Sequence, residues 1–277
     1  MSEPPGSSDS PGSSDPPDAT DPLTSLIARS LGLEVSDVTS EMLRSDADVD
    51  LERVRFRVGN DERAILLKRV PQERDLEAHL LPFLARKSEH VPRVHARGIP
   101  PPLVPAKRWL LLEDTADAPG ACDRDPREIV AAKHAIERAV ERDNPALRAL
   151  GVPELGPAAI AAIAERAGAP AELVVDAREA SARLAAWPTG LVHGNLTCAN
   201  TALVGEHVLL SEWRWAYLGC TLLDIVRLTG SLVARNEAVL GIGLSRVYGA
   251  LVDRRIGTEE LRAAELLERV VSRYVRD

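Results

Sequence analysis

The chain has 277 residues, of which 45% are hydrophobic and 27% charged, with a formal net charge of -8 at pH 7. That length suits one large domain or two packed lobes with a sizeable core. The acidic balance excludes electrostatic attraction to nucleic acid or to an anionic membrane surface. No apolar run reaches the roughly 20 residues that span a bilayer. The N-terminus has no basic start followed by an apolar stretch, as a secretory signal has. Cys122, Cys198 and Cys220 are odd in number and far apart. They match neither a disulfide framework nor a zinc spacing. They read as buried free thiols, which points to a reducing cytoplasm.

Residues 1–22 are Ser, Pro, Gly and Asp with almost nothing apolar. Such a segment buries too little surface to offset its ordering entropy, so a disordered tail is expected. Leu23 to Leu33 has helical spacing through Leu23, Leu26, Ile27 and Leu31. Leu51 to Val58 alternates, with Val54, Phe56 and Val58 on one side and Arg53, Arg55 and Arg57 on the other, and predicts a half-buried strand. Gly59-Asn60-Asp61 is a hairpin turn. Ala64 to Val70 is the returning strand and carries Lys68. Arg74 to Leu84 is helical in period, with Pro82 kinking its last turn. Trp109 to Leu112 is a short apolar strand that ends at Glu113-Asp114. Strand, strand, helix, strand describes a small α+β lobe.

Beyond residue 125 or so the pattern is helical. Pro126 to Arg142 opens with proline in a first helical turn, where it is favoured. Pro157 to Ala167 and Ala171 to Trp187 are alanine-rich and helical in period. The last sixty or so residues are helical too, with breaks near Gly241 and Gly257. One β-rich island, Leu191 to Leu210, interrupts the helices. It contains His193-Gly194-Asn195, then Asn200, and is followed by Glu212-Trp213 and by Asp224 in a first helical turn.

These four anchors resemble the active-site pattern of the aminoglycoside phosphotransferase and choline kinase superfamily. That pattern is His-Gly-Asp, Asn five residues after the Asp, Asp-Trp or Asp-Phe about a dozen residues later, and an Asp opening a helix. The small lobe adds matching features. Lys68 lies where the family holds its phosphate-binding lysine, and Glu77 where a glutamate pairs with it. Val91-Pro92-Arg93-Val94 leads into the next strand, and Leu110 to Asp114 resembles the hinge whose backbone holds adenine at Glu113. The resemblance spans about residues 25–235. It implies a bilobal α+β, protein-kinase-like fold: a β-rich N-lobe of five strands over residues 23–114 and a helical C-lobe over residues 115–277. It implies ATP and Mg²⁺ as cofactors and a small hydroxylated molecule as acceptor. Asn195 and His193 would stand in the catalytic loop, Lys68, Glu77 and Glu113 at the nucleotide, and Asn200 and Glu212 at the metal.

The chemistry of these residues suits phosphoryl transfer, which asks mainly for fixed cations and an aligned acceptor. Asn and carboxylate oxygens are hard ligands suited to Mg²⁺. Three departures stand beside the match. Asn195 replaces the catalytic aspartate, and an amide cannot accept a proton at neutral pH. Glu212 is one methylene longer than the metal-binding aspartate. The loop Ser45 to Asp50 has no glycine and carries Asp46, Asp48 and Asp50. Two functions therefore follow: an impaired phosphotransferase, or a pseudokinase that works through binding. Arg246, Asp253, Arg254, Arg255, Glu259 and Glu260 form no carboxylate cluster that would select a polycationic aminoglycoside.

Overall fold

The structure, a computed structural model, describes residues 21–71, 75–98, 107–241 and 243–276. The tail expected at residues 1–22 lies outside these apart from its last two residues. Asp21 caps helix α1 (Pro22–Leu31), accepting from the Thr24 N–H at 3.2 Å, with proline in the first turn. Gly32, in the left-handed conformation, ends the helix two residues before the sequence pattern does.

A five-stranded sheet follows, made of β1 (Ser36–Ser45), β2 (Asp50–Val58), β3 (Asp61–Pro71), β4 (Val94–Gly98) and β5 (Lys107–Glu113) in the order β1-β2-β3-β5-β4. The hairpin turn at Gly59-Asn60 joins β2 to β3 as the sequence indicates. β1 carries no alternating signal because nearly all of it is exposed. Helix α2 (Leu76–Leu84) lies between β3 and β4 and holds Pro82 in its last turn.

β3 is buried on both faces, so its residues divide by the period of two. Ile65 and Leu67 join Ile27, Val54, Phe56 and Leu111 in a core under α1. Leu66, with Leu110 and Leu112, points the other way into the main core. Lys68, two residues from Leu66, shares that inner face and pairs in register with Leu51 and Leu110.

The rest is helical around small sheets. Helices α3 (Pro126–Val140), α4 (Asn144–Ala149), α5 (Pro157–Arg166) and α6 (Ala171–Leu184) precede the β-rich island. A three-stranded sheet joins β6 (Glu154–Leu155), β7 (Thr189–Val192) and β10 (Tyr217–Cys220), and β8 (Thr201–Val204) pairs with β9 (His207–Leu210). Helices α7 (Leu222–Ala234), α8 (Ala238–Gly241), α9 (Leu244–Leu251) and α10 (Thr258–Tyr274) close the chain.

The fold corrects the free-thiol reading of the cysteines. Cys122 and Cys198 form a disulfide across a sequence separation of 76, and only Cys220 is a free, buried thiol. The turn at 121–123 is brought beside the turn at 198–200 when the Leu203 N–H donates to the Pro119 carbonyl at 2.8 Å. No local pattern announces so distant a pairing. With one pair bonded, the cysteines no longer point to a reducing compartment. Among the described residues, no helix is long and apolar enough to cross a membrane.

Candidate active site

Lys68 is 3% exposed, and its ammonium stands 2.5 Å from Glu77 Oε2 and 2.7 Å from Glu212 Oε1. Burial opposes the charge, but Glu77 and then Glu212 outweigh it and raise the lysine pKa above its ordinary value. Glu77 is fixed from the far side, because its Oε1 accepts from the Trp213 N–H at 3.1 Å. Glu212 has φ 68°, an uncommon conformation for a residue with a side chain. That turn lets its carboxylate reach Lys68 while Trp213 packs into the core. Burial resists ionisation of Glu212, but Lys68, then Arg214 and Arg44, hold its carboxyl below the usual range.

The His193-Gly194-Asn195 loop is braced from behind. Asp224, in the first turn of α7, accepts from the His193 N–H at 2.7 Å and the Gly194 N–H at 3.0 Å. Gly194 is obligatory: its φ is 79°, and a Cβ there would lie 2.0 Å from the Trp215 carbonyl oxygen. His193 is fully buried, and burial lowers its pKa, so the ring is neutral. Its Nδ1 accepts from the Asn195 N–H at 3.2 Å, which leaves Nε2–H to donate to the Ser211 carbonyl at 2.7 Å. His193 therefore shapes the loop from inside and is closed off from solvent.

Asn195 is turned toward Arg227 of α7, whose NH2 group donates to its Oδ1 at 3.1 Å. Asn200 donates from Nδ2 to the Asn195 carbonyl at 2.8 Å, closing the loop on itself. Glu113 is engaged by Arg93: its N–H donates to the Arg93 carbonyl at 2.9 Å, and its Oε2 accepts from the Arg93 N–H at 3.1 Å. The structure thus brings Lys68, Glu77 and Glu212 into one cluster. Asn195, His193 and Asn200 share the neighbouring loop, and Glu113 ends β5.

Two features escaped the sequence pattern. Arg53 pairs in register with Leu66 and so shares the inner face of the sheet with Lys68. Its guanidinium reaches Asp114 at 2.6 Å and Asp117 at 2.6 Å, tying β2 to the segment after β5. Arg214 sits between Glu212 and Asp48 of the β1–β2 loop, 3.4 Å from the first and 3.5 Å from the second. Arginines in alternating or turn segments read as solvated, and only the tertiary contacts reveal these partners.

As placed, the residues do not fit a divalent cation. One oxygen of Glu212 is taken by Lys68 and the other faces the Arg214 guanidinium. Among the described residues, no group of three His, Cys, Asp or Glu could hold a metal.

Solved structures share this architecture. An aminoglycoside-3'-phosphotransferase of type VIII is 20% identical and matches over 85% of this chain and 94% of its own, with a TM-score of 0.54. A choline/ethanolamine kinase family protein from Mesorhizobium loti is 18% identical over 91% of this chain and 82% of its own, with a TM-score of 0.56. An amicoumacin kinase, solved with AMP-PNP, Ca²⁺ and Ami, is 12% identical over 91% of this chain and 85% of its own, with a TM-score of 0.58. No family model matches the sequence, and no curated protein does. The chain shares the bilobal α+β fold of these solved phosphotransferases and kinases.

Proposed function

We propose that the protein binds ATP in the cleft beneath β3 and transfers its terminal phosphoryl group, slowly, to a small hydroxylated molecule. The observation that carries this reading is the buried Lys68–Glu77 pair at 2.5 Å. A lysine held this rigidly supplies a fixed positive charge for phosphate oxygens, at no reorganisation cost during transfer. Asn195 would orient the acceptor hydroxyl by hydrogen bonding. It cannot take the proton, which leaves to water or to a phosphate oxygen, so the rate forgoes the roughly 10²–10⁴-fold that a base supplies. Asn200 and Glu212 would ligate Mg²⁺ only after Glu212 turns away from Lys68, so transfer rests on Lys68 and Asn195 alone. The test is a thermal-shift titration with ATP, paired with assay for ADP over hours. A saturable shift and slow ADP release are expected; neither a shift nor ADP at millimolar nucleotide overturns the reading.

A pseudokinase is the second reading, and the Arg53 clamp on Asp114 and Asp117 favours it. That clamp crosses the inner face of the sheet beside the hinge, and it would have to open for a base to enter. A protein that binds no nucleotide before or after Arg53→Ala is a binding module and not an enzyme.

A further inference from the structure

Arg214 is a cation that the transfer scheme leaves unused. It lies in the turn 213–215 with its side chain 8% exposed, and its guanidinium stands 5.5 Å from the Trp215 ring. Nε is 3.4 Å from Glu212 Oε2, and NH1 is 3.5 Å from Asp48 Oδ2. Neither nitrogen has a hydrogen-bond partner among the described residues. A buried donor left unbonded is unfavourable, so the guanidinium favours an oxyanion that reaches closer than these carboxylates do.

The carboxylate above it sits on a built loop. Asp46 Oδ1 accepts from the Asp48 N–H at 2.8 Å and the Val49 N–H at 2.9 Å. Arg44 Nε donates to Asp46 at 2.6 Å, and Lys107 Nζ donates to Asp50 at 2.5 Å. The loop therefore presents Asp48 to Arg214 in a defined position. In a kinase-type site the corresponding loop covers phosphates with backbone N–H groups. In this chain it places a carboxylate over a buried guanidinium, one residue pair away from the buried lysine. Lys68, Glu212, Arg214 and Asp48 thus alternate in charge, and a guanidinium faces the acid that would otherwise bind a metal.

We propose that Arg214 and Lys68 form a polyphosphate subsite, that Asp48 fills it as an internal stand-in until phosphate displaces it, and that binding there needs no divalent cation. The proposal rests on the nucleotide-binding reading above. A guanidinium offers a planar fork matched to two phosphate oxygens, and the neighbouring Trp215 ring helps to hold its plane. A divalent cation beside it would meet like charge at close range in a poorly solvated place.

The experiment is calorimetric titration of the full chain with ATP, tripolyphosphate and adenosine, each in EDTA and in Mg²⁺. The variants are Arg214→Gln, Arg214→Lys and Asp48→Asn. ATP is expected to bind in EDTA within about threefold of its affinity in Mg²⁺. Arg214→Gln should weaken ATP and tripolyphosphate at least about tenfold, leaving adenosine unchanged, as loss of a charge-assisted contact does. Arg214→Lys should fall between the two. Asp48→Asn, on a surface loop, should tighten ATP and tripolyphosphate by removing the competitor, and it keeps the test open if Arg214→Gln does not fold. Strict dependence on Mg²⁺, or an Arg214→Gln protein that binds ATP as the wild type does, overturns the proposal. Adenosine binding as tightly as ATP, with no tripolyphosphate binding, rejects the subsite and leaves the nucleotide reading standing. Tripolyphosphate binding that depends on Arg214, with adenosine silent and ATP no tighter, keeps the subsite and rejects the nucleotide reading.

Discussion

The protein holds two buried lysines, each set between two carboxylates, and their environments act on them in opposite directions. Lys68 in β3 has Glu77 and Glu212 at 2.5 and 2.7 Å, and its pKa is raised. Lys133 in α3 is 1% exposed, touches Glu137, stands 3.5 Å from Asp224 and donates to the Thr221 carbonyl at 3.4 Å. There burial wins over Asp224 and lowers the pKa to about 8. The partners differ in how far they are shared. Asp224 already accepts two backbone N–H groups, and Glu137 accepts from the Tyr248 hydroxyl at 2.9 Å. Burial alone therefore does not set the charge state of a lysine. What decides it is whether the acids beside it are committed to that lysine or to other donors.

The largest expected effect comes from removing the committed lysine. Lys68→Met leaves two buried carboxylates without their cation, and should cost about 3–5 kcal/mol of stability at pH 7. Denaturant titration measures it. A loss under about 1 kcal/mol would show that Glu77 and Glu212 are satisfied by Trp213 and Arg214 alone, and would end the contrast between the two lysines.

Lys133→Met tests the other side through pH. A lysine whose folded pKa is below its unfolded value of about 10.4 binds its proton less readily in the native state. Its penalty is absent well above pH 10.4, grows as the pH falls through that value, and is complete below the folded pKa of about 8. The stability of the wild type relative to Lys133→Met should therefore rise by about 2 kcal/mol between pH 8 and pH 10.4. Taking the difference is necessary because Cys220 pulls the other way: burial lifts its thiol pKa to about 12, so its contribution declines as the pH rises. A flat difference curve would place Lys133 with Lys68 and not opposite it.

The smallest effect lies at the loop between the two centres. Asn195→Asp returns a proton acceptor beside Arg227, and Glu212→Asp shortens the acid on Lys68. The double variant should hydrolyse ATP at least about tenfold faster than the wild type at high nucleotide, the low end of general-base effects. Because both changes act on one transition state, it should exceed either single variant. If Asn195→Asp instead slows a brisk wild-type reaction, Asn195 is a working part of a different chemistry.

Much of this was legible in the sequence, and the reason is local. The period of two in β2, the turn at Gly59-Asn60 and the proline that opens α3 each act within a few residues, so composition and spacing determine them. The spacing from His193 to Asp224, with Lys68 and Glu77, carried a family resemblance, and that resemblance implied the fold and the lysine pair, which stands at 2.5 Å. The tertiary structure alone decided the rest. β1 is exposed on both faces and so has no period to read. Cys122 and Cys198 meet only because two distant turns are packed together. Arg53 finds Asp114 across a separation of 61 residues, and Lys68 finds Glu212 across 144. An arginine or a carboxylate carries the same signal in a sequence whether water or an ion partner surrounds it. Burial is what separates those two cases, and burial exists only once the chain has closed around the site.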